Sequence, residues 1–391
     1  MTPSELQSHQ TLIHCACINL NPAQQATIVQ QAGQYALSPT LPTAAEEHGL
    51  APLLYAHLQR AGVDIPAAVK RDLLALTLRH RHANRARGRV LAEILAAYDA
   101  AGIEVRVLKG MALAHLIYPE PGLRPMRDID LLVKPAEARR AQALLAELGF
   151  RAPLAQAGAL PDKHLSAAKR QTEGLSISVE VHHNLFNAST PVAPMGLADL
   201  TVAPLHFSVN GQMAQTLGGA DMLWHLGQHF IYHLNVAEPM RFIWIADLVG
   251  FAEQYAADID WARVADQQPT ILNVLSLLHF AAPLSDELRR RAGIELGREP
   301  SGIGRDFAGW PRAPLAQQRA KGYRRLLADT FLPGEWWLRL HYGLGSTRSL
   351  FWTRWVRHPF NIGSCLWRVL RERLAQPRSQ TIHPREKHYA R

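Results

Sequence analysis

Cysteine is nearly missing from this chain. Its 391 residues hold three, Cys15, Cys17 and Cys365, an odd number without a C-x-x-C pair. That excludes a disulfide framework and a thiolate zinc site, and it fits a reducing cytoplasm. Long apolar runs are missing too. The uncharged stretches 6–45 and 200–220 are threaded with Gln, Asn and Pro, so neither reads as a membrane span, and Glu5 stands where a secretory signal would carry basic residues. Acidic residues are scarce relative to basic ones: 33 Asp and Glu against 42 Lys and Arg, a formal charge of +9. The excess is local, since residues 321–391 carry 14 basic and 4 acidic side chains. The rest is near neutral, so the overall basicity describes a C-terminal segment and is weak evidence for nucleic-acid handling elsewhere. No repeat of fixed period and no H-E-x-x-H pattern is present.

What is present is enough chain for a large core, by length two or three domains, with 48% of residues apolar. The first hundred residues read as helices. Thr43 and Glu46 have capping-box spacing, and Gly62 and Gly102 close apolar periodic segments. Pro66 opens a long helix between those glycines, on which Leu73, Val90, Leu91, Ile94 and Leu95 share the apolar face. Its basic cluster, Arg79 to Arg89, reads as a solvated face. The pattern changes at Ile103, where a short strand runs to Leu108, followed by a Lys109-Gly110 turn, a helix from Met111 to Tyr118 and a loop to Pro125. A second strand begins at Asp128. Pro135 to Leu148 is a helix closed by Gly149, an irregular linker follows, and Ser176 to His182 alternates as a third strand. Helical periodicity returns at Gly219 and persists to Leu374, broken by prolines.

The stretch with the most chemistry is Arg124-Pro-Met-Arg-Asp-Ile-Asp-Leu-Leu-Val133. In a strand, alternate side chains share a face, so Asp128 and Asp130 point together while Ile129 faces the core. Two such charges ~4 Å apart repel by about 4 kcal/mol at an effective dielectric near 20. A pair of this kind shares a proton or binds a cation, and Mg²⁺, which prefers hard oxygen ligands, suits it. Without context the preferred reading of the pair is a cap or turn on a solvated loop. On the third strand Ser176, Ser178, Glu180 and His182 share one face.

The order Leu108-Lys109-Gly110, Arg124, Asp128-Ile129-Asp130-Leu131-Leu132-Val133 and Glu180-Val181-His182 resembles the uncharacterised bacterial nucleotidyltransferase family. That family is part of the superfamily that includes DNA polymerase beta and the aminoglycoside nucleotidyltransferases. The matching motifs lie within residues 103 to 183, and a His-rich helix followed by Arg241 to Asp247 resembles the family's C-terminal region. The resemblance implies an α+β fold, a small mixed-sheet core at 101–215 between helical regions at 1–100 and 216–391. It implies that Asp128, Asp130 and Glu180 are the catalytic carboxylates and hold metal, two Mg²⁺ ions, around a nucleoside triphosphate such as ATP. Lys109, Gly110 and Arg124 then fall at nucleotide-binding positions, with Gly110 letting a helix N-terminus approach phosphate, and His182 and His229 at substrate-binding ones. Lys109-Gly110 departs from the superfamily's usual Gly-Ser. The implied reaction moves a nucleoside monophosphate from an NTP to an acceptor hydroxyl with release of pyrophosphate.

Two other readings stand beside it. One is a non-catalytic protein of the same fold that docks a partner, nucleic acid or membrane. The other is a protein-modifying nucleotidyltransferase of a toxin-antitoxin pair. His225, His229 and His233 recur on one helix face; the spacing permits zinc, but a helix lining the cleft is the preferred reading. In the tail, Trp336, Trp337, Trp352, Trp355 and Trp367 interleave with arginines. Packing of a helical subdomain is preferred there over peripheral membrane or nucleic-acid contact.

Overall fold

The structure is a computed structural model that describes residues 3–35, 37–153, 160–187, 192–235, 239–311 and 322–375. The chain forms two compact units, residues 1–306 with 334–348, and residues 307–333 with 349–391. The region 216–391 is shared between them.

The first unit begins with five helices: α1 (Pro3–His14), α2 (Pro22–Tyr35), α3 (Leu41–Glu47), α4 (Ala51–Arg60) and α5 (Ala67–Ala100). Helix α5 fills the span between Pro66 and Gly102 and buries Leu73, Val90, Leu91, Ile94 and Leu95. Its basic side chains are paired as well as solvated: Arg79 and His80 hold Glu46, Arg81 holds Glu120, and Arg89 holds Glu173. The expected capping box does not form. Thr43 lies inside α3, which opens at Leu41 with Pro42 in its first turn and no side-chain cap, and Glu46 turns to α5 instead.

The sheet follows. Strands β1 (Val105–Val107), β2 (Asp128–Val133), β3 (Ala168–Thr172) and β4 (Leu175–His182) lie in the order β1-β2-β4-β3, with α6 (Lys109–Leu116) after β1 and α7 (Ala138–Glu147) after β2. The central pair β2–β4 is parallel and both outer pairs are antiparallel, so the sheet is mixed and the fold α+β. Ile129, Leu131, Val179 and Val181 are fully buried, and α7 packs on β3 and β4. Strand β3 lies in the segment read as an irregular linker. It is joined to β4 through Glu173 and Gly174, both at positive φ (53° and 76°), as the twist of a two-residue hairpin demands. A second hairpin, β5 (Leu205–Val209) and β6 (Gln212–Thr216), turns at Asn210-Gly211 in the same way.

Helices complete the unit: α8 (Gly219–Asn235), α9 (Ile243–Gln254), α10 (Trp261–Gln267), α11 (Pro269–Leu278) and α12 (Asp286–Ala292), with α14 (Glu335–His341) following α13 (Tyr323–Phe331) of the second unit. Trp336 and Trp337 of α14 are buried, and the Trp336 indole donates to the Leu277 carbonyl at 3.2 Å.

The second unit contains α13, a π-helical turn at Thr353–Arg357 and α15 (His358–Ala375). Here the packing expectation fails, because Trp352, Trp355 and Trp367 are exposed. Among the described residues no helix is long and apolar enough to cross a membrane.

Candidate active site

The site forms where β2 and β4 run side by side. Their parallel register sets Asp130 opposite Glu180 and Leu132 opposite His182, and directly paired residues of a sheet share a face. A separation of fifty residues in sequence thus becomes one strand spacing. Nε2 of His182 lies 2.9 Å from Asp130 Oδ1 and 3.4 Å from Glu180 Oε2. Candidate ligand atoms of Asp130, Glu180 and His182 all fall within 4.8 Å of one another, the one group of this kind among the described residues. His225, His229 and His233 do not form one. Asp128 does not join the tight group, but it stands on the same face of β2, two residues before Asp130.

The electrostatics follow from burial and crowding. Burial pushes the Asp128 carboxyl up to about 6, the Asp130 charge adds to that, and Lys109 pulls the other way. Burial also disfavours the Asp130 carboxylate, but Lys109, the His182 hydrogen bond and Lys163 outweigh it and hold that carboxyl well below the usual range. Glu180 is held low first by its hydrogen bond with His182, against burial and the Asp130 charge. The pair expected from the sequence therefore divides its roles, with Asp130 firmly ionised and Asp128 the reluctant member.

Lys109 opens α6 with its Nζ 3.7 Å from Asp130 Oδ2. Its φ of 40° is a left-handed conformation that a non-glycine residue adopts at a cost. Gly110 is required by a neighbour. A Cβ there would sit 2.8 Å from the terminal guanidinium nitrogen Nη1 of Arg124 and 3.3 Å from Met126 Cβ. Arg124 itself is buried and committed, its Nε and Nη2 donating to Asp247 of α9 at 2.8 and 2.6 Å, while the Tyr118 hydroxyl donates to the same carboxylate at 2.8 Å. Arg124, expected at a nucleotide-binding position, is held in a buried ion pair that ties the turn before β2 to a helix far along the chain.

Two residues the sequence did not single out stand beside the cluster. The Lys163 carbonyl accepts from the amides of His183 and Asn184 at 3.0 and 3.2 Å, so residues 163–165 run along the end of β4. Burial, then Lys109, pushes the Lys163 ammonium down to about 8. His164 reaches Glu180 Oε2 at 3.8 Å and lies 4.9 Å from the His182 ring. No periodicity marks this segment, so no sequence signal could have found them.

Lys163 also lines a narrow cleft of about 20 Å³ with Asn187, Gln228, Tyr232, His225 and His229. His225 is 1% exposed, and neither ring nitrogen has a hydrogen-bond partner in the structure. Burial drives both His225 and His229 well below the ordinary imidazole range, leaving neutral rings that can each donate and accept. His229 packs edge-on to Trp244 at 5.5 Å.

The sequence profile of a family described as uncharacterised nucleotidyltransferase matches residues 39–289. No functionally curated protein matches the chain. Among solved structures, the chain is similar to an antigenic nucleotidyltransferase-like protein from Paracoccidioides brasiliensis, at 15% identity and a TM-score of 0.31, covering 54% of this chain and 93% of that one.

Proposed function

We propose that this chain, which belongs to the uncharacterised nucleotidyltransferase family, transfers a nucleoside monophosphate from an NTP to an acceptor hydroxyl and releases pyrophosphate. The observation that carries the reading is the β2–β4 register, which sets Asp130 against Glu180 with His182 between them. The donor set fits a divalent cation: two carboxylates and an imidazole nitrogen within reach of one point, and in Asp128 a further carboxyl on the same strand face, raised first by burial and then by the Asp130 charge. Asp128, Asp130 and Glu180 would hold divalent metal, expected as Mg²⁺, whose chemistry when bound is to neutralise charge on the entering oxygen and the departing pyrophosphate.

The chain's own residues take the remaining roles. Lys109 presents its ammonium to the triphosphate from the head of α6. In the transfer, the acceptor oxygen bonds to the α-phosphorus, the bond to the bridging oxygen of pyrophosphate breaks, and Glu180 accepts the hydroxyl proton. His182, within hydrogen-bond reach of both carboxylates, fixes their orientation. The cleft beside Lys163 receives the acceptor, with His225 and His229 placing its polar groups. Arg124 positions the Gly110 turn through Asp247.

The test is Mg²⁺-dependent NTP binding by thermal shift, in which ligand at 100 times its Kd adds about 2.7 kcal/mol. Wild type should show the shift and Asp128→Ala/Asp130→Ala should lose it; no shift in wild type, or a full one in the variant, rejects the site. Labelled NTP incubated with cell lysate then identifies the acceptor, since label appears on a small molecule, on protein or on RNA.

A further inference from the structure

The second unit presents its apolar surface outward. It carries twelve of the sixteen large apolar side chains exposed among the described residues, while the apolar side chains buried among its own described residues are Phe307 and Ile362. The exposed residues are not scattered. Trp352, Val356, Phe360, Trp367 and Leu370 succeed one another at steps of four, four, seven and three residues, which on a helix is one stripe. The inward positions are held by smaller or polar groups, Thr353, His358 and Ile362, with His358 Nε2 bonded to the Thr330 carbonyl at 2.7 Å. The stripe that an ordinary amphipathic helix would bury therefore faces solvent, and contiguous exposure on this scale marks an interaction surface.

Charge narrows the partner. Between Ser349 and Arg371 the sequence has four arginines and no Asp or Glu, and on α13 the one carboxylate, Asp329, is paired with Arg325 at 3.3 Å. A second copy of this surface would set arginine against arginine. A nucleic acid would use the arginines and stack on the tryptophans, but it offers nothing to Leu366, Val369 and Leu370, which are exposed beside them. The boundary of an anionic bilayer accepts all three classes: aliphatic chains among acyl groups, indoles at the headgroups, guanidinium groups on phosphate. We propose that this unit docks on an anionic lipid surface, with α15 lying in the headgroup plane and its Phe360, Trp367 and Leu370, together with Trp352 before the π-helical turn, entering the acyl boundary.

The experiment is co-sedimentation of the full chain with vesicles of phosphatidylglycerol and phosphatidylcholine (3:7, a chosen ratio of roughly one-third anionic lipid, enough to recruit basic segments) and with pure phosphatidylcholine vesicles, alongside binding of a single-stranded oligonucleotide and sedimentation velocity. Binding to the anionic vesicles, weakening with salt and absent on the neutral ones, is the expected result. Arg368→Gln/Arg371→Gln should weaken it roughly 30-fold, each arginine near such a surface contributing about a factor of five. Trp352→Ser/Trp355→Ser/Trp367→Ser, all exposed and so without effect on folding, should abolish it, with wild-type tryptophan fluorescence quenched by brominated lipid and the variant's unchanged by it. Vesicle binding that survives the triple change overturns the proposal. So does oligonucleotide binding without vesicle binding, or self-association that the triple change removes.

Discussion

Arg124 and Asp247 stand 123 residues apart, and no spacing rule pairs them, which is why the sequence assigned Arg124 to phosphate. An arginine next to two aspartates invites that reading; only the folded chain shows a nearer carboxylate with a hydroxyl already bound to it. Removing one partner of a buried pair strands the other charge, and Arg124→Ala or Asp247→Asn should each cost about 3–5 kcal/mol in urea denaturation. Replacing both, as Arg124→Met/Asp247→Leu, should recover most of that loss. A cost below ~1 kcal/mol for Arg124→Ala would mean the guanidinium is not held by Asp247. The carboxylates were legible for the opposite reason: strand alternation is local, so Asp128 and Asp130 had to share a face whatever the rest of the chain did. A second residue-scale consequence concerns acid stability. Burial, opposed by a 2.8 Å bond to the Cys17 carbonyl, lowers His57 to about 4. An imidazole depressed on folding binds its proton more readily in the unfolded chain, so its contribution is complete above the unfolded value near 6.5 and is lost as pH falls from there through 4. The loss is on the order of 3 kcal/mol. Urea midpoints measured against pH should fall across that window, and His57→Gln should flatten the fall.

Elements with their own periodicity were read correctly and those defined by partners were not. Helix α5 and strands β2 and β4 carry patterns over enough residues to declare themselves. Strand β3 does not: Ala-Lys-Arg-Gln-Thr is polar, and it is a strand because β4 offers it an edge and because the Arg170 stem covers Phe150, its guanidinium carbon 4.6 Å from the ring centroid. The Glu173-Gly174 turn, with only one glycine, was too weak a signal, whereas Asn210-Gly211 was a strong one within a stretch weighed only as a membrane span. The turn between β1 and α6 shows how an element boundary can be set from a distance. Gly110 has no side chain because the Arg124 guanidinium, locked to Asp247, occupies the space. Gly110→Ala should therefore cost about 1–3 kcal/mol by overpacking and reduce the NTP-dependent thermal shift by displacing Lys109. Gly363→Ala in α15, with open space around its Cβ, is the control and should be neutral or stabilising by up to about 1 kcal/mol. Equal losses at both positions would show that the turn is not constrained by Arg124.

The two units differ in what can hold them together. The first contains the sheet, the long α5 and nearly all of the fully buried leucine, isoleucine and phenylalanine side chains; among its described residues the second buries two large apolar side chains and adds helix hydrogen bonds and the His358–Thr330 contact. Local stability tracks buried apolar surface, so the two should open with very different free energies. Hydrogen exchange read by peptide should show the amides of β2, β4 and α5 protected near the global limit, and those of 323–331 and 358–375 exchanging orders of magnitude faster. The expected three-region division, with boundaries near 100 and 215, makes a competing statement: if 1–100 and 101–215 were independent bodies, α5 and the sheet would lose protection at different denaturant concentrations. Packing of α5 on α7, with the Tyr98 hydroxyl donating to the Ala141 carbonyl at 3.0 Å, argues that they open together. A lipid surface supplies the second unit with the apolar environment its own core lacks, so anionic vesicles should slow exchange in 358–375 while leaving β2 and β4 unchanged. Slowing throughout the chain would instead indicate nonspecific adsorption, and no slowing in 358–375 would leave the exposed stripe without the support that its composition demands.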